Sequence, residues 1–153
     1  MILSRDLLAE VIASEKSIGK KIVFTNGCFD LIHSGHVSYL NESKKQGDLL
    51  IVGLNSDDSV RRLKGPKRPI NNQSDRALVL DNLKSVDFVT IFDEDTPYNL
   101  IELLKPDVLT KGGDYTIDNV VGADIVMANF GKIVIINLVE GKSTTSIINK
   151  MAD

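Results

Sequence analysis

Cysteine is nearly absent from this 153-residue chain. A single thiol, Cys28, excludes a disulfide framework, a cysteine-based zinc site and a CxxC redox pair. Histidine is almost as scarce, with only His33 and His36. No apolar run approaches membrane-spanning length, and no charged segment followed by an apolar stretch opens the chain. The chain is therefore expected in the cytoplasm, away from membranes. Net charge is −3, so no global positive field draws nucleic acid. Several phosphate and catalytic signatures are missing too. There is no GxxxxGK[ST], which excludes a P-loop enzyme, and no GxGxxG, which weakens a nicotinamide dehydrogenase. GxSxG is absent, and no pair of carboxylates stands out for acid–base work.

What is present is an ordinary globular composition, 42% apolar and 25% charged, in a length that fits one domain. Leu3, Leu7, Leu8, Val11 and Ile12 recur at helical spacing over 3–16, with Ser4 or Asp6 able to cap. This predicts an amphipathic helix over about 1–18, packed on the domain of 19–153 or on a partner subunit; a homodimer through it stays open. Apolar runs at 22–24, 48–54, 86–92, 107–110 and 132–138 read as five strands. Between them lie helical patterns. One follows His33, has Val37, Leu40 and Ser43-Lys44 at helical spacing, and ends near Gly47. A short one carries Val60 and Leu63. The next has Ala77, Leu78, Leu80 and Leu83 as its buried stripe. Further helices start near Pro97, run from Ile117 or Asp118 to Asn129, and run from Thr144 to Lys150. Alternating helices and nearly continuous apolar strands predict an α/β fold, a Rossmann-like open parallel five-stranded sheet covered on both faces. Such sheets bind ligands beyond the carboxyl ends of their strands, where the strand order reverses.

Four unusual segments follow predicted strands, so all four fall on that one rim. The first, Asn26-Gly27-Cys28-Phe29-Asp30 leading to His33-Ser34-Gly35-His36, puts two imidazoles at a strand-to-helix crossing. Unpaired amides and the positive end of a helix dipole favour an anion there. Histidines in that place also serve as plain caps or core residues. Gly35 tips the reading toward phosphate, because a helix interior would not choose glycine. Second is the basic loop Arg61 to Arg68. It is either a solvated charge run or a clamp on an anion, and Lys64, beside Gly65 and Pro66, is expected to reach phosphate. Third is Lys111-Gly112-Gly113-Asp114-Tyr115, either a simple turn or a cation with close-approach backbone and a carboxylate. Fourth is Gly141-Lys142-Ser143-Thr144-Thr145, either an ordinary cap or a set of hydroxyls and amides for phosphate. Arg76 is expected on the same rim or in a surface ion pair.

Together these segments resemble the HxGH nucleotidyltransferases, the cytidylyltransferase-like family. The resemblance runs from about Lys21 to Lys150 through FTNGCFDLIHSGHVSYL, IVGLNSDDSVRRLKGPKRPI, VDFVTIFDEDTP, KPDVLTKGGDY and LVEGKSTTSII. Within the family the chain looks most like the branch that adenylylates heptose 1-phosphate. The resemblance implies transfer of AMP from ATP to a sugar 1-phosphate, giving ADP-sugar and pyrophosphate by in-line attack on the α-phosphorus. It implies magnesium carried mainly by the triphosphate, with no protein ligand assigned. Members of that branch are often fused to a sugar kinase, which would here be a separate protein. By position, the backbone from Phe24 through Thr25, Asn26, Gly27 and Cys28 to Phe29, with Gly35 and the imidazoles of His33 and His36, would hold nucleotide phosphates. Lys64 would act at the transfer point. Arg76, Lys111, Gly112, Asp114, Gly141, Ser143, Thr144 and Thr145 would complete the nucleotide pocket, and Asp30 and Asn55 would meet the acceptor. Cys28 stands where several relatives have threonine, so a hydroxyl contact to substrate phosphate is replaced or lost. Leu138 stands where cytidylyltransferases carry arginine, which points to ATP. A cytidylyltransferase acting on an alcohol phosphate such as glycerol 3-phosphate and a non-catalytic adenylate-binding module are the alternatives.

Overall fold

A computed structural model describes residues 1–113 and 115–152. Five strands form one parallel sheet: β1 (Ile22–Gly27), β2 (Leu49–Asn55), β3 (Phe88–Phe92), β4 (Val108–Gly112) and β5 (Lys132–Ile136). Their order across the sheet is β3-β2-β1-β4-β5. β1 pairs in register with β2 from Ile22 opposite Leu49 to Gly27 opposite Leu54, and with β4 through Val23 opposite Val108. The chain winds outward from β1 to β3, then returns to place β4 on the other side of β1. The crevice at the carboxyl ends of β1 and β4 is therefore the topological switch point.

Among the described residues seven α-helices accompany the strands: α1 (Arg5–Ser17), α2 (Ser34–Lys44), α3 (Asp57–Lys64), α4 (Gln73–Asp81), α5 (Tyr98–Leu104), α6 (Ala123–Ala128) and α7 (Thr144–Ala152). Alternate residues of β1 feed two cores. Ile22 and Phe24 pack with Leu8 and Ile12 of α1, Leu100 and Ile101 of α5 and Val126 of α6. Val23 packs on the other face with Tyr39 and Leu40 of α2 and with Ala77 and Leu80 of α4. The period-two alternation of a strand makes this partition, and both faces are dry because both are covered. α1 is thus a wall of the domain. Ahead of it, Leu3 donates its amide to the Val89 carbonyl at 2.9 Å, along the outer side of β3.

Side-chain caps set the helix starts. Ser4 accepts from the Leu7 amide, Ser56 from Ser59 and Asn72 from Asp75. Three expectations change. The helix expected from 117 to 129 is broken: a 3-10 turn spans Ile117–Asn119 and α6 begins only after Gly122. Gly122 has φ +84, a left-handed conformation that interrupts the helix and suits glycine. Leu78 was expected on the buried stripe of α4 but is 57% exposed, while Arg76 is buried in its neighbourhood. Of Val37, Leu40 and Ser43, which share helical spacing in α2, Val37 is exposed, while Leu40 and Ser43 are buried together with Tyr39.

Candidate active site

The site begins with the way β1 hands the chain to α2. His33 is the N-cap of α2, and its Nδ1 accepts from the Gly35 amide at 3.1 Å. That bond leaves the proton of the neutral ring on Nε2, so His33 presents a donor away from its own helix. The ring lies so close to Gly35 that a Cβ there would stand 2.9 Å from His33 Cε1 and Nδ1. One turn on, His36 stacks against His33 with centroids 3.9 Å apart, and against the Phe29 ring at 5.3 Å. His36 Nδ1 is buried without a partner among the described residues, so the other edge of the ring meets the cleft. Burial, reinforced by the neighbouring His33, lowers the His36 imidazole to about 4. Burial, then Lys142, lowers His33 as well. Both rings are therefore neutral hydrogen-bonding groups at neutral pH.

Two confluent hollows open at the switch point. The larger, about 530 Å³, takes in Asn55, Lys64, Arg68, Thr96 and Thr145. The smaller, about 310 Å³, takes in His33, Gly35, Gly112, Lys142 and Ser143. Asn26, Gly27, Cys28, Phe29, His36, Lys111, Tyr115 and Thr144 line both, so the hollows form one cleft. All four segments singled out by the sequence reach it. Lys111 is mostly buried, and that burial, with the charge of Lys64 added, lowers its ammonium from the usual range. It lies 5.2 Å from the centroid of the Tyr115 ring. Burial holds the Cys28 thiol above its ordinary range despite the pull of Lys64, Arg76 and Arg68, so the thiol stays protonated. At the start of α7, Ser143 Oγ accepts from the Ser146 amide at 3.0 Å and Thr144 Oγ1 donates to the Leu31 carbonyl at 3.3 Å.

Several expected site residues lie behind the cleft rather than in it. Phe24 is fully buried in the core, and Thr25 points to the α2 face, 2.7 Å from the Tyr39 hydroxyl. Period-two alternation sends both inside, and the chain reaches the cleft only from Asn26 onward. Arg76 is 1% exposed and spends its guanidinium on the carbonyls of Asn71, Cys28 and Asn55 and on the Asp57 carboxylate at 2.7 Å. It therefore braces the loops under the site and has no face toward a ligand. Asp30 borders the larger hollow, but its carboxylate accepts from Arg68 Nε at 2.7 Å and from the Ile70 and Asn71 amides at 2.8 and 2.9 Å. Burial alone would raise it, and those three donors outweigh burial to hold it below the usual carboxylate range. Gly141, with φ +72, lies outside both hollows and turns the chain ahead of α7. Asp114 lies outside the described residues. Arg68, Lys142 and Tyr115 were not assigned from the sequence yet line the cleft. Each sits in a flagged segment, and a side chain's direction within a loop has no periodicity to reveal it.

Among the described residues no cluster of three or more histidine, cysteine, aspartate or glutamate side chains stands ready for a metal ion. Among the described residues, the two carboxylates that line the cleft are engaged, Asp30 as above and Asp95 by Arg62 at 2.7 Å. No helix among the described residues is long and apolar enough to cross a membrane.

The chain has relatives. The chain is 57% identical over 146 residues to the Bifunctional protein HldE of Geobacter sulfurreducens, covering 95% of this chain and 30% of that one. It is 56% identical over 150 residues to the Bifunctional protein HldE of Wolinella succinogenes, covering 98% and 31%. This chain thus spans about 30% of the length of these bifunctional relatives. The crystal structure of the lipopolysaccharide core biosynthesis protein from Thermoplasma volcanium superposes with a TM-score of 0.63 at 31% identity, covering 81% of this chain and 100% of that one. The profile of one family, described as cytidylyltransferase-like, matches residues 24–150, from the last apolar residues of β1 to the end of the Ser-Thr-Thr helix, and the chain belongs to that family.

Proposed function

We propose that this chain is an adenylyltransferase that joins ATP to a sugar 1-phosphate, heptose 1-phosphate, and releases pyrophosphate. The observation that supports this reading is one cleft at the switch point lined by His36, Lys64, Lys111, Thr144 and Thr145 together. The similarity to HldE proteins and to a lipopolysaccharide core biosynthesis protein supports a sugar as the acceptor.

A phosphate monoester is already an anion at neutral pH and needs no general base. One of its oxygens attacks the α-phosphorus of ATP, the bond to the bridging oxygen breaks, and the electron pair leaves on pyrophosphate. No proton has to move. The work is to hold two anions in line and to neutralise charge as it shifts along the line. Neutral His33 and His36 donate hydrogen bonds, Lys64 and Lys111 supply positive charge, and the amides at the start of α2 add the helix dipole. Magnesium would be carried mainly by the triphosphate, where it would offset negative charge. Leu138 lines the smaller hollow, and by the resemblance cytidylyltransferases carry arginine there, which supports ATP over CTP.

The test is pyrophosphate release with ATP or CTP against heptose 1-phosphate, hexose 1-phosphates and glycerol 3-phosphate. Release with ATP and heptose 1-phosphate is expected. Release only with CTP and glycerol 3-phosphate would replace this reading with a cytidylyltransferase, and ATP binding without any release would replace it with a nucleotide sensor.

A further inference from the structure

In-line displacement at phosphorus puts the entering and leaving oxygens on opposite sides of the reacting atom. Both ends carry anions, so both ends gain from a cation. The cleft has this layout. Lys64 and Arg68 border the larger hollow alone, Lys142 borders the smaller hollow alone, and His36 and Lys111 lie in the strip between.

We propose that Lys142 is the cation of the leaving pyrophosphate, while Lys64 serves the acceptor phosphate; the inference rests on the transferase reading above. Three observations carry it. Lys142 packs beside the first turn of α2, where its Cβ lies 3.1 Å from the position a Gly35 Cβ would take, on the side that also holds the His33 ring. It shares its hollow with the His33 ring and with Gly35, Ser143 and Thr144, at the starts of α2 and α7. Among the described residues its ammonium has no ion-pair partner, a state it shares with Lys64 and Lys111 in the cleft, whereas Arg68 is held by Asp30. The ammonium also adds to burial in keeping His33 neutral. As the electron pair moves onto the bridging oxygen, the pyrophosphate gains charge at this end, and the positive charge of Lys142 offsets it.

The experiment compares wild type with Lys142→Met, Lys142→Arg and Lys64→Met. Inorganic pyrophosphate is titrated calorimetrically into each folded protein, and forward and reverse kinetics are measured with ATP, sugar 1-phosphate, ADP-sugar and pyrophosphate. Lys142→Met is expected to weaken pyrophosphate binding and raise its KM in the reverse reaction by roughly 10-fold or more, the scale of one charge-assisted hydrogen bond. The KM of the sugar phosphate should stay put, Lys142→Arg should restore pyrophosphate binding, and Lys64→Met should shift the sugar-phosphate KM instead. Unchanged pyrophosphate affinity in Lys142→Met, or a shift confined to the sugar phosphate, would overturn the assignment. If wild type transfers no nucleotide at all, the transferase reading fails by itself. The calorimetric comparison still decides whether Lys142 holds pyrophosphate.

Discussion

His36 shows how burial tunes a single residue for this chemistry. Its ring is wedged between Phe29 and His33, and the folded protein holds its imidazole near 4. A neutral ring can donate a hydrogen bond to a phosphate oxygen without the repulsion two adjacent imidazoliums would create. Removing one such donor typically costs a factor of about 10²–10³ in turnover. His36→Ala should therefore lower kcat by about that much while its circular dichroism and denaturant midpoint stay near wild type; near-normal turnover in the folded variant would take His36 out of the site. The same burial sets a pH signature. The unfolded imidazole protonates near 6.5 and the folded one only near 4, so between those values the unfolded chain binds the extra proton. Stability is then full above about pH 6.5 and falls as pH drops toward 4, and His33, lowered in the same direction, adds to the slope. Glu94 acts in a lower window. Its hydrogen bonds to Arg5 draw it down from 4.5 to about 2, so its contribution is lost only across that interval. Denaturant melts at pH 7.5, 5.5 and 4.5 should show the loss in wild type and a flatter profile in His36→Gln. A wild-type profile that is flat from 7.5 to 4.5 would contradict the buried neutral pair.

α2 has two supports, and they predict opposite couplings of activity to stability. Its base is a buried hydroxyl chain: Tyr39 meets Thr25 at 2.7 Å, and Thr110 of β4 donates to Ser43 at 2.9 Å. This chain fastens the helix to both strands of the switch point. Tyr39→Phe leaves the Thr25 hydroxyl without that partner and should cost about 1–3 kcal/mol of stability by chemical denaturation. At the other end, Gly35 exists for the His33 ring. Gly35→Ala gains about 1 kcal/mol of helix propensity and strains or breaks the His33 cap, itself worth about 0.5–2 kcal/mol. Those terms nearly cancel, so the melting temperature should barely move. The added Cβ, 2.9 Å from the imidazole, must push the His33 donor out of line, and kcat should fall at least about 10-fold. Wild-type kcat in Gly35→Ala would mean that the ring's position does not matter to the reaction.

At the scale of the whole molecule, the alternation of strands and helices was legible because apolar periodicity is local. The placement of four odd loops on one rim was legible because all strands of a parallel sheet end on the same side. The strand order was not legible, since β1 meets β4 across more than 80 residues of chain and pairing leaves no local mark. Which side chains face the cleft was only partly legible. Thr25 and Arg76 lie in segments that reach the rim, yet point inward, because a strand's alternation or a helix's buried face decides direction after the fold is set. The first helix was ambiguous for a related reason: an apolar stripe says that something covers it, not what. Here its own domain covers the Leu8 and Ile12 side of the stripe, while Leu7 stays exposed. Leu8 and Ile12 are 0% and 1% exposed against the core of α5 and β1, and Arg5 holds Glu94 with bonds of 2.9 and 2.8 Å. Leu8→Ala should thus behave as a core deletion and cost about 2–5 kcal/mol in urea melts. It should do so without changing the sedimentation mass or the kcat of the folded fraction, because α1 contributes no residue to the cleft. A dimer that dissociates on this substitution while the monomer keeps its stability would instead make the helix an interface between subunits.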